Sequence, residues 1–328
     1  MDMLKVVRTD KYAIIFNPKT GMEVTSGING NPDPFILDFP SLMDIGIMGN
    51  CLNSCSFCYQ GENKGANMKL EDYKKIIDAV FPLVMQVALG GKGDPNLHEN
   101  FKEIIEYTRS KNIIPNYTTS GNGLTDEAIE ISKQAGAVAV SDYSQNFTYE
   151  AIRKFQEAKI KTNIHFVLST SRLLRAVDVL EGEDVWGGKV DLNKLNAVIF
   201  LLFKPQGRGK SLENEVPTEY QIKKLAALMT SGKTSFKIGL DSCLVNKIKK
   251  LNMFPKEQEQ YVDTCEAARA SVYVSSDMKL IPCSFGNHDQ YGISIRNDSI
   301  KEVWKNGESF KKFREVLTKD PACCPLGL

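Results

Sequence analysis

Six apolar runs of β character alternate with helical patterns along the middle of this chain, and that alternation limits its fold more than any other feature. The runs are LMDIGIM (42–48), QVALG (86–90), IIPNYTT (113–119), AVAVSDY (137–143), KTNIHFVLS (161–169) and NAVIFLLF (196–203). Between the first two, Leu70, Tyr73, Ile76, Ile77, Val80 and Phe81 recur at three- and four-residue steps, which places them on one helix face. Parallel neighbours in a sheet need a crossover connection, so strand–helix units in series imply a parallel sheet. The expected fold is α/β, a partial (β/α)6 TIM-like barrel over residues 41–241, with a further strand candidate, SFKIGLD, at 235–241. KPQGRGKSLENEVP (204–217) is polar and rich in Gly and Pro, and reads as the loop after the sixth strand.

The flanks differ. In residues 1–40, KYAIIFNPKTGMEVTSG alternates apolar and polar positions around a turn, the pattern of a hairpin extension. In residues 242–328, ASVYVSS and LIPCSF form a second hairpin candidate, and SIKEVWKNGESFKKFREVLTK reads as one helix. A chain of 328 residues with 42% apolar content has enough for a large core. A net charge of +1 offers no basic footprint for nucleic acid or an anionic membrane. No apolar run approaches the roughly 18–20 residues that cross a bilayer, and the N-terminus lacks the apolar core of a secretory signal, so the expected location is cytoplasmic. In a reducing compartment clustered cysteines serve as metal ligands or redox groups rather than disulfides.

The densest such cluster is GNCLNSCSFCYQG (49–61), with Cys51, Cys55 and Cys58 following the first strand candidate. Barrel folds place their chemistry at strand C-terminal ends. Three thiolates within eight residues can wrap one face of an iron–sulfur cube and leave one iron open to a ligand. Structural zinc takes four protein ligands, and no fourth Cys or His is near this triplet in sequence.

CxxxCxxC after the first strand of a β/α barrel, with Phe57 before the third cysteine and Tyr59 after it, resembles the radical S-adenosylmethionine (radical SAM) enzymes. The resemblance implies a [4Fe–4S] cluster on Cys51, Cys55 and Cys58, whose open iron binds S-adenosylmethionine. Reductive cleavage then gives a 5′-deoxyadenosyl radical that abstracts hydrogen from substrate. ALGGKGDP (88–95) resembles the family's GGE-type segment, which holds the methionine ammonium; here Gly90 and Gly91 are followed by Lys92, and the acid is Asp94. Ser120 in TTSGNG and Ser141 in SDYS stand at strand ends, where hydroxyls suit ribose or carboxylate and equally suit helix caps. Arg172 in LSTSR can meet an anion or solvent, KPQGRGK can clasp substrate or adenine or lie on the surface, and His165 within an apolar strand reads as a satisfied core histidine.

DTCEAARASVYVSSDMKLIPCSF resembles the hairpin of the Twitch/SPASM extensions that bind auxiliary [4Fe–4S] clusters. On that resemblance Cys265 and Cys283 are ligands, Cys243 is a ligand or a hydrogen-atom donor, and one of the adjacent Cys323 and Cys324 completes a single auxiliary cluster. Four thiolates also suit zinc. The family resemblance implies a flavodoxin- or ferredoxin-type electron donor and a substrate that is a ribosomally made peptide, crosslinked or epimerised, or else a small molecule. A different class, a non-catalytic electron-transfer or zinc-binding protein, would need no cofactor pocket.

Overall fold

The computed structural model of the chain describes residues 4–62, 64–229, 234–259 and 262–328. Positions 1–3, 63, 230–233 and 260–261 of the expected spans lie outside them. Six parallel strands succeed one another in chain order: β4 (Leu42–Met48), β5 (Gln86–Gly91), β6 (Ile114–Thr119), β7 (Val138–Ser141), β8 (Thr162–Leu168) and β9 (Ala197–Leu202). β10 (Lys237–Leu240) adds in parallel to β9, with Lys237 opposite Ala197. The strands alternate as a barrel wall must. In β4, Met43, Ile45 and Ile47 are wholly buried under the outer helices, while Asp44 points to the lumen. The first crossover helix, Leu70–Val80, buries Tyr73, Ile76, Ile77 and Val80 as its periodicity predicts. Phe81 is not part of it; preceding Pro82, it is extended, ends the helix and stays exposed.

The C-terminal hairpin does not stand apart from this sheet. β11 (Ser271–Val274) pairs in parallel with β4, Tyr273 opposite Asp44, and β12 (Lys279–Ile281) and β13 (Ile293–Ser294) follow antiparallel. The ten-stranded sheet therefore runs from β10 to β13, and these two edges are not hydrogen-bonded to each other. The barrel is partial. The single C-terminal helix expected over 299–319 is two, Ile300–Asn306 and Glu308–Lys319, broken at Gly307, where a Cβ would come within 2.5 Å of the Val303 carbonyl.

The N-terminal extension is a three-stranded antiparallel sheet, β1 (Lys5–Arg8), β2 (Tyr12–Phe16) and β3 (Glu23–Gly27). Its inner face buries Tyr12, Ile14 and Phe16 against Met85 and Ile114, at the end of the barrel where strands β5 and β6 begin. The linker beyond it is tied to the C-terminal module: Leu37 N donates to Arg269 O at 2.9 Å, and Trp304 Nε1 donates to Leu37 O at 3.1 Å. The Trp304 ring is buried against Phe310 and under the Arg314 guanidinium. Among the described residues no helix is long and apolar enough to cross a membrane.

Trp304 thus joins the first and last segments of the chain. Trp304→Ala should lower unfolding stability by about 3–5 kcal/mol, the cost of emptying a large buried aromatic site, measured as a shift in urea midpoint. A loss below about 1 kcal/mol would show that the two segments are held elsewhere.

Candidate functional site

The chain between Gly49 and Lys69 has no helix or strand, so its backbone polar groups need partners from outside. The loop after β9 supplies them. Arg208 donates from Nε to Cys55 O at 2.9 Å and from Nη1 to Gly61 O at 2.8 Å, and its backbone N–H reaches Cys58 O at 2.9 Å. The approach is close enough to require Gly207, which has φ +57° and whose Cβ would lie 2.2 Å from Tyr59 O. KPQGRGK therefore grips the cysteine loop through Gly207 and Arg208, while its first residue, Lys204, is buried against the Phe285 ring.

Held this way, Cys51, Cys55 and Cys58 are half-buried free thiols close enough to influence one another's ionisation. Burial raises the pKa of each, and each is raised further by a neighbour: Cys55 acts on Cys51, Cys58 on Cys55 and Cys51 on Cys58, with Arg208 opposing in all three. The Tyr143 hydroxyl hydrogen-bonds Cys55, and its ring packs 5.6 Å from that of Phe57. Mutually repelling, partly desolvated thiols are the chemistry of a cation-binding donor set.

Cys51 and Cys58 border a cavity of about 440 Å3 that opens into the barrel lumen. Across it lies the segment after β5. A Cβ on Gly90 would meet nothing within 4 Å, so the bare α-carbon leaves room facing the cavity. Gly91 has φ +116° and backs onto Met48 O, and a Cβ on Gly93 would sit 2.1 Å from Asn50 O, immediately before Cys51. The Lys92 ammonium donates to Lys64 O at 3.2 Å. Asp94 is buried, and Ser120 satisfies both its oxygens, with N–H to Oδ1 at 2.8 Å and Oγ to Oδ2 at 2.5 Å. Burial raises its pKa and those two bonds oppose the rise. Asn53, from the cysteine loop, donates to Ser120 Oγ at 2.9 Å, so one network ties the Cys51 loop, Asp94 and Ser120.

Ser141 lies on the cavity wall and hydrogen-bonds Tyr143. Tyr59 packs edge-on against Phe285 with ring centroids 4.6 Å apart. Arg172 does not face this cavity: its Nη2 pairs with buried Asp142 at 2.8 Å while its guanidinium lies 4.0 Å over the Phe166 ring, so its anion comes from the chain itself. His165 is not a core histidine. Strand alternation sends Ile164 and Phe166 into the core and His165 into the lumen, where burial lowers its pKa to about 4 against the opposing charge of Asp241.

The later cysteines converge as well. Cys243 follows β10 at the start of helix Ser242–Lys250, Cys265 precedes β11, and Cys283 follows β12. Burial pushes Cys243 up to about 12, and Cys324 and Cys265 raise it further against Lys204. Cys265 is raised by burial and by Cys324; Cys283 by burial and by Cys265, Cys243 and Cys324. From the C-terminal pair it is Cys324 that joins this group, while Cys323 Sγ turns to the Cys324 carbonyl at 3.9 Å. Among the described residues no three Cys, His, Asp or Glu side chains close on a point as ligands of one metal ion do.

Two residues escaped the sequence reading. Asp44 sits in the lumen between Ala88 and Tyr273, and Asp241 pairs at the cavity edge with Lys204, the first residue of KPQGRGK. Neither has a motif; only alternation within otherwise apolar strands marks Asp44.

Residues 45–171 match the Radical SAM superfamily. The AdoMet-dependent heme synthase of Methanosarcina barkeri is 22% identical over 311 residues, covering 84% of this chain and 85% of that protein. A tungsten-containing aldehyde ferredoxin oxidoreductase cofactor-modifying protein of Pyrococcus furiosus is 26% identical over 94 residues, 27% of this chain and 26% of its own length. Among solved structures, Streptococcus suis SuiB bound to precursor peptide SuiA superposes with a TM-score of 0.70 at 15% identity, covering 95% of this chain and 90% of SuiB. Native anSMEcpe with bound AdoMet and Cp18Cys peptide gives 0.60 at 16% identity, covering 83% and 82%. The partial-barrel fold is shared with these proteins.

The lumen carboxyl has a measurable consequence. Burial first, then Glu266, raises the Asp44 pKa from 3.8 to about 7. The folded state therefore holds this proton more tightly than the unfolded chain, and the stability it confers is full below about pH 4 and lost as pH rises through about 7. Asp44→Asn should remove that part of the slope, so that urea midpoints of variant and parent diverge, with the variant higher, between pH 5 and pH 7.5. Parallel curves would place Asp44 in a solvated site.

Proposed function

We propose that this protein is a radical SAM enzyme in which Cys51, Cys55 and Cys58 hold a [4Fe–4S] cluster and Cys243, Cys265, Cys283 and Cys324 hold a second, auxiliary one. The observation that carries the reading is a triplet of electrostatically coupled thiols, two of which, Cys51 and Cys58, line a lumen cavity whose opposite wall is kept open by Gly90. When bound, the first cluster and S-adenosylmethionine supply one-electron cleavage of the sulfonium and hydrogen abstraction from an unactivated carbon.

The chain's own residues do the rest. Gly91 and Gly93 let the strand end lie flat against the cysteine loop, and Gly90 presents backbone without a side chain to the bound cofactor. Asp94 fixes Ser120 and, through it, Asn53, which keeps the cysteine loop in register with the cofactor wall. Ser141 and Tyr143 close the far side. An iron–sulfur cube takes one thiolate per iron and so suits a triplet of cysteines with no fourth nearby ligand in sequence, where structural zinc takes four protein ligands. In this reading Cys243 is a ligand rather than a hydrogen donor, and Cys323 is not a ligand.

A peptide substrate is the reading we favour, supported by the peptide-bound proteins that share the fold, SuiB and anSMEcpe. A second reading, modification of a cofactor or other small molecule, is favoured by the relative that matches most of the chain, the heme synthase. A flavodoxin- or ferredoxin-type protein would supply electrons in either case.

Anaerobic reconstitution with iron and sulfide should give about eight irons per chain, falling to about four in Cys324→Ala and unchanged in Cys323→Ala. With dithionite and S-adenosylmethionine the parent should release 5′-deoxyadenosine, and Cys55→Ala should release none. Absence of 5′-deoxyadenosine from fully loaded protein sinks the enzyme reading.

A further inference from the structure

Lys204 is an ammonium buried to 5% exposure on the wall of the lumen cavity that Cys51 and Cys58 also line. Its Nζ donates to Asp241 Oδ2 at 2.5 Å and to Leu202 O at 2.8 Å, and it stands 4.2 Å from the centre of the Phe285 ring. Asp241 is two residues before Cys243, and Phe285 two residues after Cys283. One cation therefore touches two of the chain segments that bring thiols of the second set, those of Cys243 and Cys283. Burial alone would lower its pKa, but Asp241, Cys243 and Cys283 outweigh that and raise it, so the ammonium stays charged.

The surroundings make this charge count. In a desolvated site a unit charge is screened far less than at the surface. The pair is close to neutral as it stands, since Asp241 offsets Lys204. Removing either member leaves the other's charge uncompensated beside Cys243 and Cys283. Asp241 has a second duty, accepting the Leu244 N–H at 2.8 Å on Oδ1 to cap helix Ser242–Lys250, and an asparagine can perform that duty without the charge.

We infer that the Lys204–Asp241 pair sets the reduction potential of the iron–sulfur group held by Cys243, Cys265, Cys283 and Cys324, acting as a positioned charge pair rather than as ligands. The inference rests on the auxiliary-cluster reading above. Reduction adds one electron to the group, and thus one negative charge to a site that already holds four thiolates. A neighbouring cation stabilises the reduced form and a neighbouring carboxylate opposes it, so the two members of the pair act with opposite sign.

The test is a dithionite potentiometric titration of the reconstituted holoprotein, followed by electron paramagnetic resonance, with iron counted in each sample. Lys204→Met exposes the Asp241 carboxylate and should move the second group's midpoint to more negative potential. Asp241→Asn frees the ammonium and should move it to more positive potential. Each shift should be at least a tenfold change in the reduced-to-oxidised ratio at fixed potential, about 59 mV for one electron. Lys204→Arg should stay near the parent, and the group on Cys51, Cys55 and Cys58 should shift less in every variant. Shifts of the same sign, or none, overturn the inference while leaving the second cluster in place. A parent protein with about four irons and one set of signals sinks the auxiliary-cluster reading itself, and this inference with it. Should Lys204→Met fail to take up iron, the sign of the Asp241→Asn shift alone decides.

Discussion

The whole site depends on how a loop with no regular structure is held still. From Gly49 to Lys69 the backbone forms neither helix nor strand, yet it must present three thiols on one face. Donors from Arg208 and its neighbours satisfy the carbonyls of Cys55, Cys58, Gln60 and Gly61. The contact joins positions about 150 residues apart, so the cysteine loop depends for its partners on the segment that follows β9. The glycines at 91, 93 and 207 belong to the same logic, because each removes a side chain where two backbones nearly touch.

The open barrel explains where the second set lies. The sheet stops at β10 on one side and β13 on the other, with no ladder between them. Cys243 and Asp241 come from the end of β10, while Cys283 and Phe285 come from the end of β12, and these groups meet across the gap. Side-chain chemistry does there what hydrogen bonding does in a closed barrel. An apolar filling would close the gap as well, but a cluster of thiols with a buried ion pair is a costly way to do so unless the charges have a partner.

Much of this could be read from the sequence, for physical reasons that also say why the rest could not. Strands β4 to β9 were legible because runs such as NAVIFLLF are apolar on both faces, as strands between a helix layer and a lumen must be. The same continuity concealed which face each residue takes, and His165, read as core, lies in the lumen. The Cys51, Cys55, Cys58 triplet was legible because its spacing is local. Convergence of Cys243, Cys265, Cys283 and Cys324 was not, since it depends on β11 joining β4, a pairing across more than 220 residues. Gly307 lies inside a continuous helical period, and only the packing of Trp304 on Phe310 reveals that the chain must turn there. Sequence left Arg172 between an anion and solvent, because the carboxylate it meets, Asp142, is 30 residues away in the chain and adjoins it only through the packing of neighbouring strands.

Charge ties these threads together. The chain is nearly neutral overall, at +1, yet it gathers seven of its eight cysteines into two desolvated groups, where every thiolate raises the cost of the next. Cations meet both groups, and two of them come from the loop after β9: Arg208 lowers the cost at Cys51, Cys55 and Cys58, and Lys204 lowers it at Cys243, while Arg269 does the same at Cys265. Their designs differ. Arg208 donates to the carbonyls of Cys55 and Gly61, whereas Lys204 pairs with the Asp241 carboxylate. The first set therefore has a guanidinium bound to its own loop carbonyls and the second an ammonium–carboxylate pair, so two chemically similar centres held by one loop sit in different electrostatic surroundings.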